Sequence, residues 1–142
     1  MVKQISVFLE NKAGRLAEVT RVLGENGINI RALSIADTTD YGVLRLIVND
    51  PEKAWRVLKD SDFTASFMDV LAIGIVDEAG SLSKTLGALQ DNGVVIEYMY
   101  AFSGKSGDKP LVILKLSDNA KAMKVLAEEG VAVIDASEVY SL

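Results

Sequence analysis

The feature that most limits what this chain can fold into is a repeat. Displaced by 66 residues against itself, the sequence aligns Ala13-Gly14-Arg15-Leu16 with Ala79-Gly80-Ser81-Leu82. The same displacement aligns Leu23 with Leu89, Asn26-Gly27 with Asn92-Gly93 and Ile30 with Ile96. Seven of the eighteen ungapped positions from 13 to 30 are identical, where an unrelated pairing gives roughly one. A displacement of 68 continues the match, pairing Asp50 with Asp118, Ala54 with Ala122 and Val57-Leu58 with Val125-Leu126. The two-residue step falls between Ser103 and Pro110, in a connection that tolerates insertion. Whatever this chain folds into, it must form twice within 142 residues.

Each copy reads as strand, helix, strand, strand, helix, strand. Lys3 to Leu9 is an apolar strand. A helix starts at about Gly14, with Leu16, Val19, Val22 and Leu23 on one face, and Asn26-Gly27 stops it. Leu82, Leu86 and Leu89 play that part in the second copy. Ile28 to Ala36 is a strand whose apolar side chains switch from even to odd positions, the signature of a bulge or of burial on both faces. A hairpin at Asp37-Thr38-Thr39-Asp40 leads into a strand from Tyr41 to Val48. Asp50-Pro51 opens a helix as cap and first-turn residue, with Ala54, Val57 and Leu58 inward. Thr64 to Phe67 closes the first copy and Val70 to Val76 opens the second, with almost no linker at Met68-Asp69. The expected domains are residues 1–68 and 69–142, each an α+β, ferredoxin-like βαββαβ unit, packed together by so short a connection.

Composition narrows the chemistry. Neither Cys nor His occurs, which removes disulfides, thiolate nucleophiles, the usual zinc sites and imidazole acid–base catalysis. A net charge of −5 opposes a duplex nucleic-acid surface. The longest apolar stretches are strand-length, too short to span a membrane. The N-terminus opens straight into strand pattern without a secretory lead, which places the expectation in the cytoplasm. No cofactor is implied.

The turn Glu10-Asn11-Lys12-Ala13-Gly14-Arg15-Leu16, followed by Leu23 and then Asn26-Gly27-Ile28-Asn29-Ile30, resembles the signature of the ACT family, and the second copy repeats it more weakly. The resemblance covers nearly the whole chain. It implies a regulatory domain that binds small ligands, usually free amino acids, at an interface between two such domains. It further implies domains lying side by side through their second strands, as one eight-stranded antiparallel sheet with helices on one face. On that pattern the ligand-binding residues are Asn11, Ala13, Gly14, Arg15, Leu16, Asn29 and Ile30 in the first copy. In the second they are Asp77, Ala79, Gly80, Ser81, Leu82, Val95 and Ile96. The loop from Asp77 to Leu82 facing Asn29 and Ile30 would make the better-preserved pocket. Val95 in place of Asn29 would leave the other altered or empty.

The residues give this a physical sense of their own. A loop ending in Gly14 or Gly80 at a helix start presents free backbone N–H groups and the positive end of a helix dipole, which suits a carboxylate. Asn11, Asp77 or a backbone carbonyl could accept from an ammonium group. Plainer accounts stand beside these. Gly14 and Gly80 could be turn glycines, although their recurrence with a flanking Leu favours contact with a ligand. Leu16 and Leu82 read as core, Arg15 and Lys12 as solvated loop charges, and Asn29 equally as a solvent-facing strand residue. Tyr98, Tyr100 and Phe102 share one strand face and read as core or interface packing. Ser103-Gly104-Lys105-Ser106 carries the end of a phosphate-binding loop without its first Gly, and reads as a flexible hairpin loop.

The function expected is a sensor that binds an amino acid and has no catalysis of its own. The alternative is an interaction module or regulatory subunit of a separate enzyme or transporter, with vestigial ligand binding. An enzyme is the least supported reading, since no paired acids or nucleophile–base set recurs. A homodimer is expected through exposed strand edges.

Overall fold

A computed structural model describes residues 1–38 and 40–142; Thr39 of the expected hairpin lies outside the described residues. The chain divides into two compact units, one of Lys3–Met68 and one of Met1–Val2 with Asp69–Leu142. The first unit contains β1 (Val2–Glu10), α1 (Arg15–Glu25), β2 (Ile30–Asp37), β3 (Tyr41–Val48), α2 (Pro51–Asp60) and the beginning of β4 (Thr64–Gly74). Its strand order is β2-β3-β1-β4. The second unit continues β4 and adds α3 (Ser81–Asp91), β5 (Ile96–Ser106), β6 (Lys109–Leu116), α4 (Asn119–Glu128) and β7 (Ala132–Ile134). Its order is β7-β4-β6-β5, the same topology over again. A short helix, α5 (Ala136–Ser141), ends the chain. Both units are α+β, ferredoxin-like βαββαβ folds.

Period-two burial explains each sheet. Ile5, Val7 and Leu9 of β1 and Leu44, Leu46 and Val48 of β3 turn one face toward Val19, Val22 and Leu23 of α1 and Ala54 and Leu58 of α2. Leu71 and Ile73 of β4 and Leu114 and Leu116 of β6 do the same against Leu89 of α3 and Ala122, Val125 and Leu126 of α4. The second helix of each unit starts on an aspartate cap: Asp50 accepts from the Lys53 amide at 3.1 Å and Asp118 from the Lys121 amide at 3.0 Å. The phase change in β2 is a bulge, with a register shift between Ile30 and Ala32, and β5 repeats it between Ile96 and Tyr98. Tyr100 and Phe102 are buried, and Tyr98 is half-buried.

Four expectations need correcting. β4 runs unbroken through Met68 and Asp69, because neither Gly nor Pro interrupts the stretch from Thr64 to Ile73. β2 starts at Ile30, since Ile28 is spent on the core beneath the end of α1. The backbone from Ser103 to Ser106 is strand, with the turn confined to Gly107-Asp108, so no phosphate-cradling loop forms there. Leu16, in helical phase with Val19 and Leu23, is nevertheless 40% exposed. It stands in the first turn of α1, at the loop end.

Candidate functional site

The two strand-to-helix loops share a backbone. Gly14 caps α1 at φ 84°, ψ −6°, and Gly80 caps α3 at φ 88°, ψ −10°. A Cβ at either would meet no atom within 4 Å, so it is the left-handed conformation, not crowding, that favours glycine there. The first helical bonds run from Glu18 N–H to the Gly14 carbonyl (2.9 Å) and from Lys84 N–H to the Gly80 carbonyl (3.0 Å). No side chain caps either helix start.

The turns after the second helices match as closely. Asp62 (φ 66°) and Gly130 (φ 69°) both adopt the left-handed conformation. Their amides donate to Lys59 and Ala127 carbonyls at 3.0 and 3.1 Å. The next amides, of Phe63 and Val131, reach back to Leu58 and Leu126 at 3.0 and 2.9 Å.

In the second unit these two turns border a cavity of about 420 Å³, within the range of roughly 300–1,000 Å³ typical of small-molecule sites. Gly74, Ile75 and Val76 from the end of β4 and the turn beyond it form one wall, and Glu78, Ala79, Gly80 and Ser81 another. Lys84 and Thr85 of α3, Lys109 at the start of β6, and Glu129, Gly130 and Val131 beyond α4 complete the lining. Thr85 is satisfied, its hydroxyl donating to the Ser81 carbonyl at 3.1 Å. Among the described residues, Lys84, Lys109, Glu78 and Glu129 form no salt bridge. The cavity therefore has two ammonium groups and two carboxylates without protein counter-ions. It also lies between the positive end of α3 and the negative end of α4. Neither helix end is compensated: α3 has no acid in its first turn, and α4 has no base in its last.

The repeat shows why space opens here. Phe8, Arg15 and Phe63 of the first unit correspond to Gly74, Ser81 and Val131. Phe8 stacks on Tyr41 at 5.1 Å; in the second unit the stem of Lys109 crosses Gly74 instead, 3.3 Å from where a Cβ would sit. The Arg15 guanidinium lies 4.5 Å over the Phe63 ring and pairs with Glu18 at 3.0 Å. Arg15 is thus no freely solvated charge, while Lys12, paired with Glu10 at 2.7 Å, remains mostly exposed. That hydrogen bond and charge hold the Glu10 carboxyl below the usual carboxylate range. The first unit also answers its own dipoles, with Glu18 in the first turn of α1 and Lys59 in the last turn of α2.

Of the sequence-predicted residues, Ala79, Gly80 and Ser81 line the cavity. Asp77 is exposed beside it, and Leu82 and Ile96 pack against the second core. In the first unit Asn11, Ala13 and Gly14 lie exposed around Arg15 and Leu16, and Ile30 packs on the first core. Asn29 is exposed, and its backbone carries the local structure: its N–H donates to Asn49 Oδ1 at 2.9 Å, and its carbonyl accepts from Asn49 N–H at 3.1 Å. Val95, 61% exposed, keeps both bonds with Ser117, each at 2.9 Å. The Asn29-to-Val95 difference leaves that turn unchanged. Sequence reasoning missed Gly74, Lys84, Lys109 and Glu129. The signal that could have found them is the size and charge mismatch between the two copies.

This chain belongs to the ACT domain pair family, whose model matches residues 1–142. It is 45% identical to protein BT0572 from Bacteroides thetaiotaomicron, covering 99% of this chain and 96% of that one, with a TM-score of 0.92. The regulatory subunits of aspartate kinase from Thermus thermophilus, in ligand-free form, and Thermus flavus share the fold at 17% and 15% identity. Each comparison covers 89% of this chain, with 91% and 90% of the relatives and TM-scores of 0.64 and 0.60. No curated protein matches the chain. Among the described residues no helix is long and apolar enough to cross a membrane.

Proposed function

We propose that this ACT domain pair is a regulatory protein that binds a free amino acid in the second unit, at the start of α3, and has no catalysis of its own. The cavity carries the reading: unpaired charges of both signs sit with two uncompensated helix ends around a space of amino-acid size. The uncapped start of α3 and Lys84 suit a carboxylate, and Glu129 and the carbonyl end of α4 suit an ammonium group. Binding stabilises whichever arrangement forms the site, which is how a non-catalytic module passes on a signal. Thermal-shift measurements with each of the twenty amino acids test this: a ligand raises the melting temperature with concentration. Absence of any shift at millimolar levels removes the reading.

A second reading, a regulatory subunit that docks on a separate enzyme or pairs with its own copy, is favoured by one observation. Leu33 and Ile35, 51% and 40% exposed, share one face of β2 at the end of the first unit's strand order. Light scattering of wild-type protein and the Leu33→Lys/Ile35→Lys variant tests it. A mass that is monomeric in both removes the self-pairing form.

A further inference from the structure

Resting on that reading, we propose that the second unit contains a cation subsite at the C-terminal end of α4, formed by Glu129, Gly130 and Val131. The ligand is then a small zwitterion whose cationic group occupies the place that the first unit fills with its own Arg15.

The two units supply the comparison. Arg15 and Ser81 occupy the same position, the first residue after a left-handed glycine cap, in loops whose cap angles agree within a few degrees. Phe63 and Val131 occupy the same position after turns of matching φ. In the first unit the Arg15 side chain runs from the start of α1 to the turn beyond α2, with its guanidinium over Phe63. A cation thus sits on the side chain of the turn that follows α2, while it also pairs with Glu18 at the start of α1. Its Nε is buried with no hydrogen-bond partner, so the group is held by the Phe63 ring and by one pair with Glu18 at 3.0 Å rather than by a full set of bonds.

In the second unit the tether is gone and the place remains. Ser81 is too short to reach it. Val131 removes the aromatic face, but Glu129, which replaces Ser61, brings a carboxylate to the same turn. Ala127 replaces Lys59, so the helix end also loses its own base. The changes at Ser81 and Ala127 remove protein cations and the change at Glu129 adds a protein anion, and Ser81 and Glu129 both line the cavity. At the opposite wall the exchange is reversed: Lys84 replaces Glu18 in the first turn of α3. The second unit is therefore charged against its own helix dipoles at both ends. A ligand with an anionic group toward α3 and a cationic group toward α4 relieves both.

The test is Ser81→Arg, which restores the tethered cation. Wild type and variant are compared by melting and by calorimetric titration with the twenty amino acids, their N-acetyl derivatives and their amides. Expected are a rise in the unliganded melting temperature of the variant and at least a tenfold loss of amino-acid affinity. N-acetyl derivatives, which lack the cation, should fail to bind wild-type protein. Glu129→Gln, at an exposed position, should weaken binding without lowering the unliganded melting temperature, and it serves if Ser81→Arg does not fold. An Arg variant that binds like wild type, or N-acetyl derivatives that bind as well as free amino acids, overturns the subsite. If wild type binds nothing, the functional reading falls and unliganded melting decides the subsite alone. A rise in Ser81→Arg then supports it, and no rise overturns it.

Discussion

The loops before α1 and α3 have the same backbone and different contents. Glycine caps, first helical bonds and the turns after α2 and α4 agree closely between the units, yet across one loop Arg15 lies over Phe63 and the other borders a cavity. Backbone geometry here is set by local demands, a left-handed residue and a helix start, which both copies meet. The contents differ at three positions, Phe8, Arg15 and Phe63 against Gly74, Ser81 and Val131. A duplicated framework can thus keep its backbone while the side chains set on it diverge.

The largest effect should come from removing the ring beneath Arg15. Phe63 is 4% exposed and supports both the first core and the Arg15 guanidinium. Phe63→Ala should cost about 3–5 kcal/mol, as large-to-small core substitutions at aromatics do. Val131→Ala, at a half-buried position beside an existing cavity, should cost only about 1 kcal/mol. Urea unfolding measures both. Equal losses would mean that the second turn is packed as tightly as the first, and the contrast would fail.

A smaller effect of opposite sign in the two units should follow from the helix starts. Lys84→Glu places an acid in the first turn of α3 and should stabilise the unliganded protein by ~0.3–1 kcal/mol, while Glu18→Lys should destabilise it by at least as much, since it also breaks the pair with Arg15. In units of this size that is a shift of roughly 2–5 °C. Melting in low salt reads both. The same sign from both substitutions would show that the charges in the second unit are not set against its dipoles.

Much of this was legible in the sequence because it depends on neighbours along the chain. Asp50-Pro51 announces a capped helix, the parity switch from Ile28–Ile30 to Leu33–Ile35 announces the bulge, and repeated Gly-x-Leu steps announce the loops. Contacts made across the fold were hidden. Arg15 reads as a solvated loop charge until the turn after α2 brings Phe63 beneath it. Lys109 reads as a hairpin residue until β6 carries its stem across Gly74. Glu129 lies 49 positions beyond Gly80 in the chain, so no local pattern links them. The copies' disagreements did hold the information, for a position that swaps Arg for Ser beside one that swaps Phe for Val marks space changing hands.

The smallest expected effect sharpens the comparison at its rim. Glu10 and Lys12 pair at 2.7 Å in the first loop; Val76 and Glu78 hold those positions in the second, so the pair has no counterpart. The Lys12 hydrogen bond and then its charge lower the Glu10 pKa in the folded state. The folded protein therefore binds that proton less readily than the unfolded chain does. The pair's contribution to stability is present above the unfolded value and disappears as the pH falls through the lowered, folded one. Both partners are largely exposed, so solvent and salt screen the interaction and the effect on melting is slight. Carboxyl-detected NMR titration should place Glu10 below an ordinary glutamate, and Lys12→Met should return it upward. A Glu10 carboxyl that titrates unchanged in Lys12→Met would show that the pair is not formed in solution, leaving the Arg15–Glu18 pair to carry the charge contrast with the second loop.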